Sequence, residues 1–414
     1  IINLSNLLNV LNVYIPSVKY AGVSSDGLVV ETISMDEIDL HSGSAGGYVG
    51  YGSGVKISHS DVKQLKFTEA AQSRYAVSGV SNAGGYVGKL DIGSSASLGD
   101  GLKALGILQL TQLTQALDVV ASEIEHSNVY GAVGGFSVRA DGKKGNSDVI
   151  GNAGGFSGAI YGSQLQNSNV YNFNCIIGQE TAGGYVGNFQ PGNVASVIGE
   201  TEVLGGLLTT SGNVLSVLQS FIPMIYNSET TATPCGSTVR AEGESDSTRP
   251  RGLAGGYVGY NLGGRIEGNS DREWNGKKPA VKRENAVIRL RSVYGYEFAG
   301  GFSGRVESAN VADTGSISIL YGLIKLSNPL EALSAVYPTE TTTAVYGPLR
   351  KLDVETWNKW VDAVGVNGSY GQQFQELGKV ENQQQLDEII RQYAYGYDVK
   401  AGRQQAGTLS TQGG

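Results

Sequence analysis

The groups that could carry chemistry in this 414-residue chain are few: three histidines, two cysteines and some clustered carboxylates. His41, His59 and His126 stand apart from any G-x-S-x-G turn between a strand and a helix, so no hydrolytic triad is read from them. Asp36, Glu37 and Asp39 form one acidic cluster, and Asp271 and Glu273 flank Arg272 in another. Cleavage of a sugar chain needs converging carboxylates, or a carboxylate–calcium pair with a basic residue. Scattered as they are, these clusters read as solvated loops. The loop from Asp141 to Asp148, with Asn146, offers oxygen ligands, but Lys143 and Lys144 sit inside it and no glutamate closes it. It is expected to be a plain turn. No catalytic residue, metal or cofactor is assigned, and an enzyme is not expected.

Two other groups carry weight. Cys175 and Cys235 are the full thiol inventory, and a disulfide between them is a candidate, with a free buried thiol as the alternative. Such a bridge would close a loop worth about 4 kcal/mol in the chain-entropy model. Between Arg240 and Arg291 the charge balance reverses, with 11 basic residues against 7 acidic. Trp274, Lys277, Lys278 and Arg272 lie in the middle of that stretch. An exposed indole among cations is a candidate contact for glycans or anionic polymers. A solvated hairpin with its Trp folded inward is the plainer reading.

What must position these groups is legible in the glycines, 61 of the residues and about twice the usual ~7% share. A small residue, two glycines, an aromatic and a small residue recur seven times, starting at Ala45, Ala83, Val133, Ala153, Ala182, Ala254 and Ala299. The cores are Gly46-Gly47-Tyr48, Gly84-Gly85-Tyr86, Gly134-Gly135-Phe136, Gly154-Gly155-Phe156, Gly183-Gly184-Tyr185, Gly255-Gly256-Tyr257 and Gly300-Gly301-Phe302. No reaction needs seven copies of one cassette, whereas a scaffold that stacks one unit does. The shortest interval, from Val133 to Ala153, fits one turn of a β-solenoid of roughly 20 to 25 residues. Paired glycines would supply positive φ at a corner and let neighbouring backbones approach, with the aromatic pointing inward. Tyr is always followed by Val and Phe by Ser. Two alternating environments along the stack are therefore expected. Strands such as Ser127-Asn128-Val129-Tyr130-Gly131 precede cassettes, and Gln164 to Tyr171 follows one.

Apolar segments near 2–15, 98–124, 203–225 and 317–336 interrupt the pattern about every hundred residues. The second spaces Leu102, Leu105, Leu113, Leu117, Val120 and Ile124 like a helix face, and the third runs through Phe221 and Ile222 to Pro223. These are expected to be helices lying on the stack. The organisation read is a cassette domain over 1–347, a helical C-terminal cap over 348–401 and a flexible tail or linker over 402–414. Asp353 is placed to cap a helix through Trp357 and Trp360, and Leu386, Ile389, Ile390 and Tyr393 mark a second.

Charged residues make up 16% of the chain, with 38 acidic against 30 basic, which argues against nucleic-acid binding. No apolar run of about 18 residues is present, so no membrane insertion is expected. Ile1 is not an initiator methionine, which suggests a mature product or an excised segment.

The Ala-Gly-Gly-Tyr-Val-Gly cassettes, Ser-Asn-Val-Tyr-Gly strands and leucine-rich inserts resemble the repeat regions of very large Gram-positive cell-surface proteins. The likeness extends to the stretches Ala344-Val345-Tyr346-Gly347-Pro348-Leu349 and Thr356-Trp357-Asn358-Lys359-Trp360-Val361. More loosely, the cassettes look like the glycine-rich repeats of bacterial adhesins. That resemblance implies a right-handed parallel β-helix, a mainly β fold, with helical insertions and a small helical cap. It also implies an extracellular, cell-wall-anchored module acting as adhesin or structural stalk. Expected partners are glycans, host or neighbour-cell surface proteins, and adjacent modules of a larger protein. A β-helix polysaccharide lyase or glycoside hydrolase, or a surface-filament subunit, is the alternative.

Overall fold

The structure, a computed structural model, describes residues 15–32, 43–65, 75–93, 121–142 without 133, 151–192, 222–243 without 235, 252–271, 278, 282–309, 340–345, 352–364, 378–393, 398–401, 404, 405, 408 and 409. These residues are mainly β, arranged in several parallel sheets. The strands fall into five rows, each row a ladder of parallel pairs. The first row runs through Ser17–Lys19, Lys56–Ser58, Glu123–Glu125, Gln164–Gln166, Met224–Tyr226, Arg265–Glu267 and the start of Glu340–Val345. The second runs through Val23–Leu28, Val62–Leu65, Val129–Gly131, the first part of Val170–Gly178, Thr230–Ala232, Asn285–Ile288 and the end of Glu340–Val345.

The third row joins Val30–Glu31, Val77–Gly79, Phe136–Ala140, the rest of Val170–Gly178, Ser237–Ala241, Leu290–Gly295 and Asp398–Ala401. The fourth joins Ser44–Gly46, Asn82–Gly84, Asn152–Gly154, Thr181–Gly183, Leu253–Gly255 and Phe298–Gly300. The fifth joins Val49–Ser53, Val87–Asp91, Ser157–Tyr161, Val186–Gln190, Val258–Leu262 and Ser303–Glu307. One strand from each row, taken in chain order, makes a level. Among the described residues there are six complete levels, and a seventh in the first three rows.

The rows hold because each stacks one kind of side chain inward. Ile57, Ile124, Leu165, Ile225 and Ile266 lie in register in the first row and are all buried. Val62, Val129 and Val170 do the same in the second, and Val77, Val138, Ile176, Val239 and Val293 in the third. β-branched side chains fit the pleated, half-buried surface of such short strands. Turns between the first and second rows put Tyr20, His59, His126, Asn167 and Asn227 in the left-handed region, at φ 48–55°. After Tyr20 comes Ala21, and after the other four come Ser60, Ser127, Ser168 and Ser228, each fully buried. Each serine hydroxyl donates to the carbonyl two residues back and accepts the backbone N–H of the level before. The polar corner is thereby satisfied without water.

Six cassettes, not seven, occupy the corner between the fourth and fifth rows. Their rings form one column, Tyr48–Tyr86–Phe156–Tyr185–Tyr257–Phe302, with centroids 4.8–5.1 Å apart. The copy starting at Val133 is a mimic. Its Phe136 begins a third-row strand beside Phe173. The 20-residue interval is therefore not a turn, and the shortest true one runs from Ala153 to Ala182. The two expected environments are not found either, because Phe156 is fully buried between Tyr86 and Tyr185 in the same column. Nothing in the structure explains the pairing of Tyr with Val and Phe with Ser.

The glycines also act differently from expectation. None of the twelve in the six stacked cores has positive φ; that conformation belongs to Gly135 of the mimic, at +88°. What the second glycine of each stacked core permits is close approach. A Cβ on Gly85, Gly155, Gly184 or Gly256 would lie 2.1–2.2 Å from the glycine carbonyl oxygen one level on.

Of the four apolar segments expected to be helices, 1–14, 94–120, 193–221 and 310–339 lie outside the described residues. One expected end is corrected, since Ile124 is in the strand Glu123–Glu125; Pro223, read as a stop, directly precedes the strand Met224–Tyr226. The last three leave from the fifth row of an even-numbered level and return to the first row of the next. Odd-numbered levels pass to the next by a short turn, as from Ser53 to Lys56 and Tyr161 to Gln164. The large repeat is thus two levels.

Two helices, α1 (Val354–Val364) and α2 (Gln383–Tyr393), bury Trp357, Trp360, Val380, Leu352 and Leu386 together. Asp353 caps α1, accepting the Thr356 N–H at 2.7 Å, which holds its carboxyl below its ordinary value. Replacing Asp353 with Ala is expected to lower the stability of this helical unit by about 1 kcal/mol, read by helix-specific loss in thermal circular dichroism. The expected helical segment 348–401 also contains the strand Asp398–Ala401, so both helices stand between the second and third rows of level seven. In the segment expected as a tail, Gln404–Gln405 pairs antiparallel with Thr408–Leu409.

Candidate functional site

Alternation along the short strands turns every second residue of the second row outward, and two of these residues are tyrosines. Tyr130 and Tyr171 follow the inward Val129 and Val170, pair in register, and stack at 5.0 Å. Beside them runs an amide ladder: Asn128 donates its backbone and side-chain N–H to Asp61, Asn169 does the same to Asn128, and the Glu229 N–H donates to Asn169. Each amide therefore faces the same way, and the ladder ends in a carboxylate at either side. Arg283 reaches this face from the long connection between Arg265–Glu267 and Asn285–Ile288. Its Nη1 donates to the Tyr171 hydroxyl at 3.0 Å and lies 3.7 Å from the Glu229 carboxylate.

Burial raises the tyrosine hydroxyls above their ordinary values, and the Arg283 charge opposes that rise. Burial alone would lower the Arg283 guanidinium, but its bond to Tyr171 and the Glu229 charge more than offset this. Both phenols are therefore neutral donors at physiological pH. Lys63 adds a cation 3.8 Å from Asp61. The face combines apolar ring edges, neutral hydroxyls, a fixed guanidinium and two carboxylates. Such a set can hold the hydroxyls and apolar patches of a sugar, or the polar groups of a peptide.

The residues singled out in the sequence are placed as follows. Arg272, Trp274 and Lys277 lie outside the described residues, and Lys278 is exposed. Asp271 pairs with Lys282 at 2.5 Å, and Glu273 is outside the description. His59 stacks between Tyr20 and His126 at 4.9 and 5.0 Å along the outer corner. His41 and the cluster of Asp36, Glu37 and Asp39 are outside the described residues, as are Asn146 and Asp148. Asp141 is bound to Arg139, which also pairs with Glu242. Cys175 carries a free thiol that burial pushes up to about 11, so it is protonated at neutral pH. Cys235, its candidate partner, lies outside the described residues. Among the described residues no group of three or more His, Cys, Asp or Glu is arranged to hold a metal ion. No helix among them is long and apolar enough to cross a membrane.

Sequence reasoning passed over Tyr130, Tyr171 and Arg283 as contact residues. The signal was present in the repeated Ser-Asn-Val-Tyr of 127–130 and 168–171. Comparison of the chain with protein-family models, with curated proteins and with solved structures finds no match in any of the three.

The inner column makes a pH prediction that separates it from this outer face. Burial raises the Tyr86, Tyr185 and Tyr257 hydroxyls well above their ordinary value. The unfolded chain releases these protons near pH 10 while the folded chain keeps them, so stability is complete below about pH 10 and falls above it. The slope is about 1.4 kcal/mol per pH unit for each tyrosine. Urea unfolding between pH 8 and 11 should show this loss, and Tyr185→Phe should remove one tyrosine's share of the slope.

Proposed function

We propose that the chain is a non-enzymatic display module of a bacterial cell surface, with its levels forming successive turns of a right-handed parallel β-helix. The observation that carries this is the unbroken ring column, one aromatic per level, beneath outward faces that vary from level to level. A constant interior with a variable exterior suits presentation rather than turnover. At about 4.8 Å per level the stack rises only about 30 Å. Reach as a stalk therefore comes from joining such modules, and contact comes from faces such as Tyr130, Tyr171 and Arg283. The glycine-, serine- and tyrosine-rich composition and the likeness to Gram-positive surface repeats support an extracellular setting. Adhesion to glycans or to host or neighbour-cell surface proteins is the proposed role.

The test is a glycan and matrix-protein array probed with the whole chain and with Tyr130→Ala/Tyr171→Ala. Retention of a ligand that the double variant loses by about tenfold or more supports the reading. A ligand that is consumed instead of retained, or binding indifferent to both tyrosines, overturns it.

A further inference from the structure

The outward column of the second row offers more hydrogens than oxygens. Lys63, Tyr130, Tyr171 and Thr231 follow one another in register through levels two to five, each at least partly exposed. At ~4.8 Å per level they form a ribbon about 14 Å long. Among the described residues the hydroxyls of Tyr130 and Thr231 have no hydrogen-bond partner. Tyr171 accepts from Arg283 through its oxygen and so keeps its own hydrogen to give. Lys63 is held among the described residues by the 3.8 Å pairing with Asp61 alone.

Arg283 is engaged on one side only. Its Nη1 carries both the bond to Tyr171 and the approach to Glu229, while among the described residues the Nε–Nη2 edge meets no acceptor. The side chain is 37% exposed, so a ligand can reach that edge. Its two parallel N–H groups match the two oxygens of a carboxylate. The oxygens of the face are spent at its margin. Asp61 accepts twice from Asn128, Asn128 accepts twice from Asn169, and Asn169 accepts the Glu229 N–H. Formal charge cancels as well, with Lys63 and Arg283 against Asp61 and Glu229. The guanidinium fork therefore stands in a field of no net sign, beside a row of oriented hydrogens.

We propose that this face selects glycans that carry a carboxylate, of the uronic- or sialic-acid class. The carboxylate sits on the Nε–Nη2 edge of Arg283, and neighbouring sugar oxygens accept from the hydroxyls of Tyr171, Tyr130 and Thr231. A ligand of this kind supplies the oxygens that the ribbon lacks, and the apolar ring edges of the two tyrosines cover the adjoining sugar. Polyanions such as sulfated or phosphate-rich chains gain most from a net positive field, which the cancelled charges remove. A single carboxylate needs only the fork. Specificity on this face thus comes from the direction of the donors rather than from charge. The inference rests on the adhesive reading of the same face and narrows it to one ligand class.

The experiment titrates the whole chain by calorimetry with oligosaccharides ending in glucuronic, galacturonic or sialic acid, each beside its own methyl ester. A sulfated oligosaccharide and a glutamate-rich peptide are run in parallel. At least one acid is expected to bind, and its ester to bind about tenfold or more weakly. This comparison needs no variant. Arg283→Lys keeps the charge but loses the fork, and is expected to bring the acid down to the level of its ester. Absence of binding by every acid, an ester as tight as its acid, equal binding of the sulfated chain or the peptide, or indifference to Arg283→Lys overturns the proposal. The display reading survives each of these if the array still returns a ligand retained through Tyr130 and Tyr171. A bound acid that is consumed instead of retained strikes the display reading and leaves the carboxylate preference standing.

Discussion

Gly184→Ala is expected to destabilise the chain by about 3 kcal/mol or more, enough to deplete soluble folded protein. The added Cβ would lie 2.1 Å from the Gly256 carbonyl oxygen and 3.4 Å from the Phe173 ring. A flexible side chain could yield to such a contact, but this oxygen belongs to the backbone of the adjacent level. Its own neighbours are fixed, with the Gly184 N–H bonded to Gly255 and the Tyr185 N–H to Tyr257. Moving it would open the ladder between levels four and five, beside the ring column. Gly378→Ala is the control, because a Cβ there meets nothing within 4 Å. Chemical denaturation of the two variants side by side measures the contrast, and similar midpoints would mean that the cassettes do not approach as closely as described.

Tyr185→Ala should cost about 4 kcal/mol, the usual range for removing a buried aromatic. The ring is fully buried between Phe156 at 5.1 Å and Tyr257 at 4.8 Å. Its hydroxyl crosses the interior to donate to the Ser168 carbonyl at 2.5 Å, and Tyr86 and Tyr257 make the same bond to Ser60 and Ser228. Each tyrosine therefore braces the cassette corner against the serine corner of its own level. Tyr185→Phe separates the two contributions. It keeps the stack and loses only the brace, for about 1 kcal/mol, a state the chain already uses at Phe156. Hydrogen exchange across levels three to five should report the alanine variant as local opening, and the phenylalanine variant as nearly native.

These two residues also mark how far the sequence could be read. The cassette itself, its inward aromatic and its repetition were legible at Tyr185, because glycine pairs and aromatics at fixed offsets are local facts. The mimic at Val133 could have been recognised, since all six stacked copies begin with Ala and it alone begins with Val. Asp353 was legible for the same reason, a cap being decided within four residues. The contact face was half legible: the Ser-Asn-Val-Tyr repeat gave away Tyr130 and Tyr171, but nothing local ties Arg283 to a tyrosine 112 residues earlier.

By itself, then, the sequence determined that a small glycine-aromatic unit recurs, that its strands are short and β-branched, and that a capped helix follows. Only the tertiary structure decided which copies stack and why their glycines are needed. The physical reason lies in parallel pairing. Each strand's partner comes from the next level, as Gly88 stands beside Gly50 and Ala153 beside Ala83. Connections of very different length bring equivalent corners together, so spacing along the chain cannot fix register. Register comes from ring on ring and from carbonyls that approach so closely that only glycine fits between them.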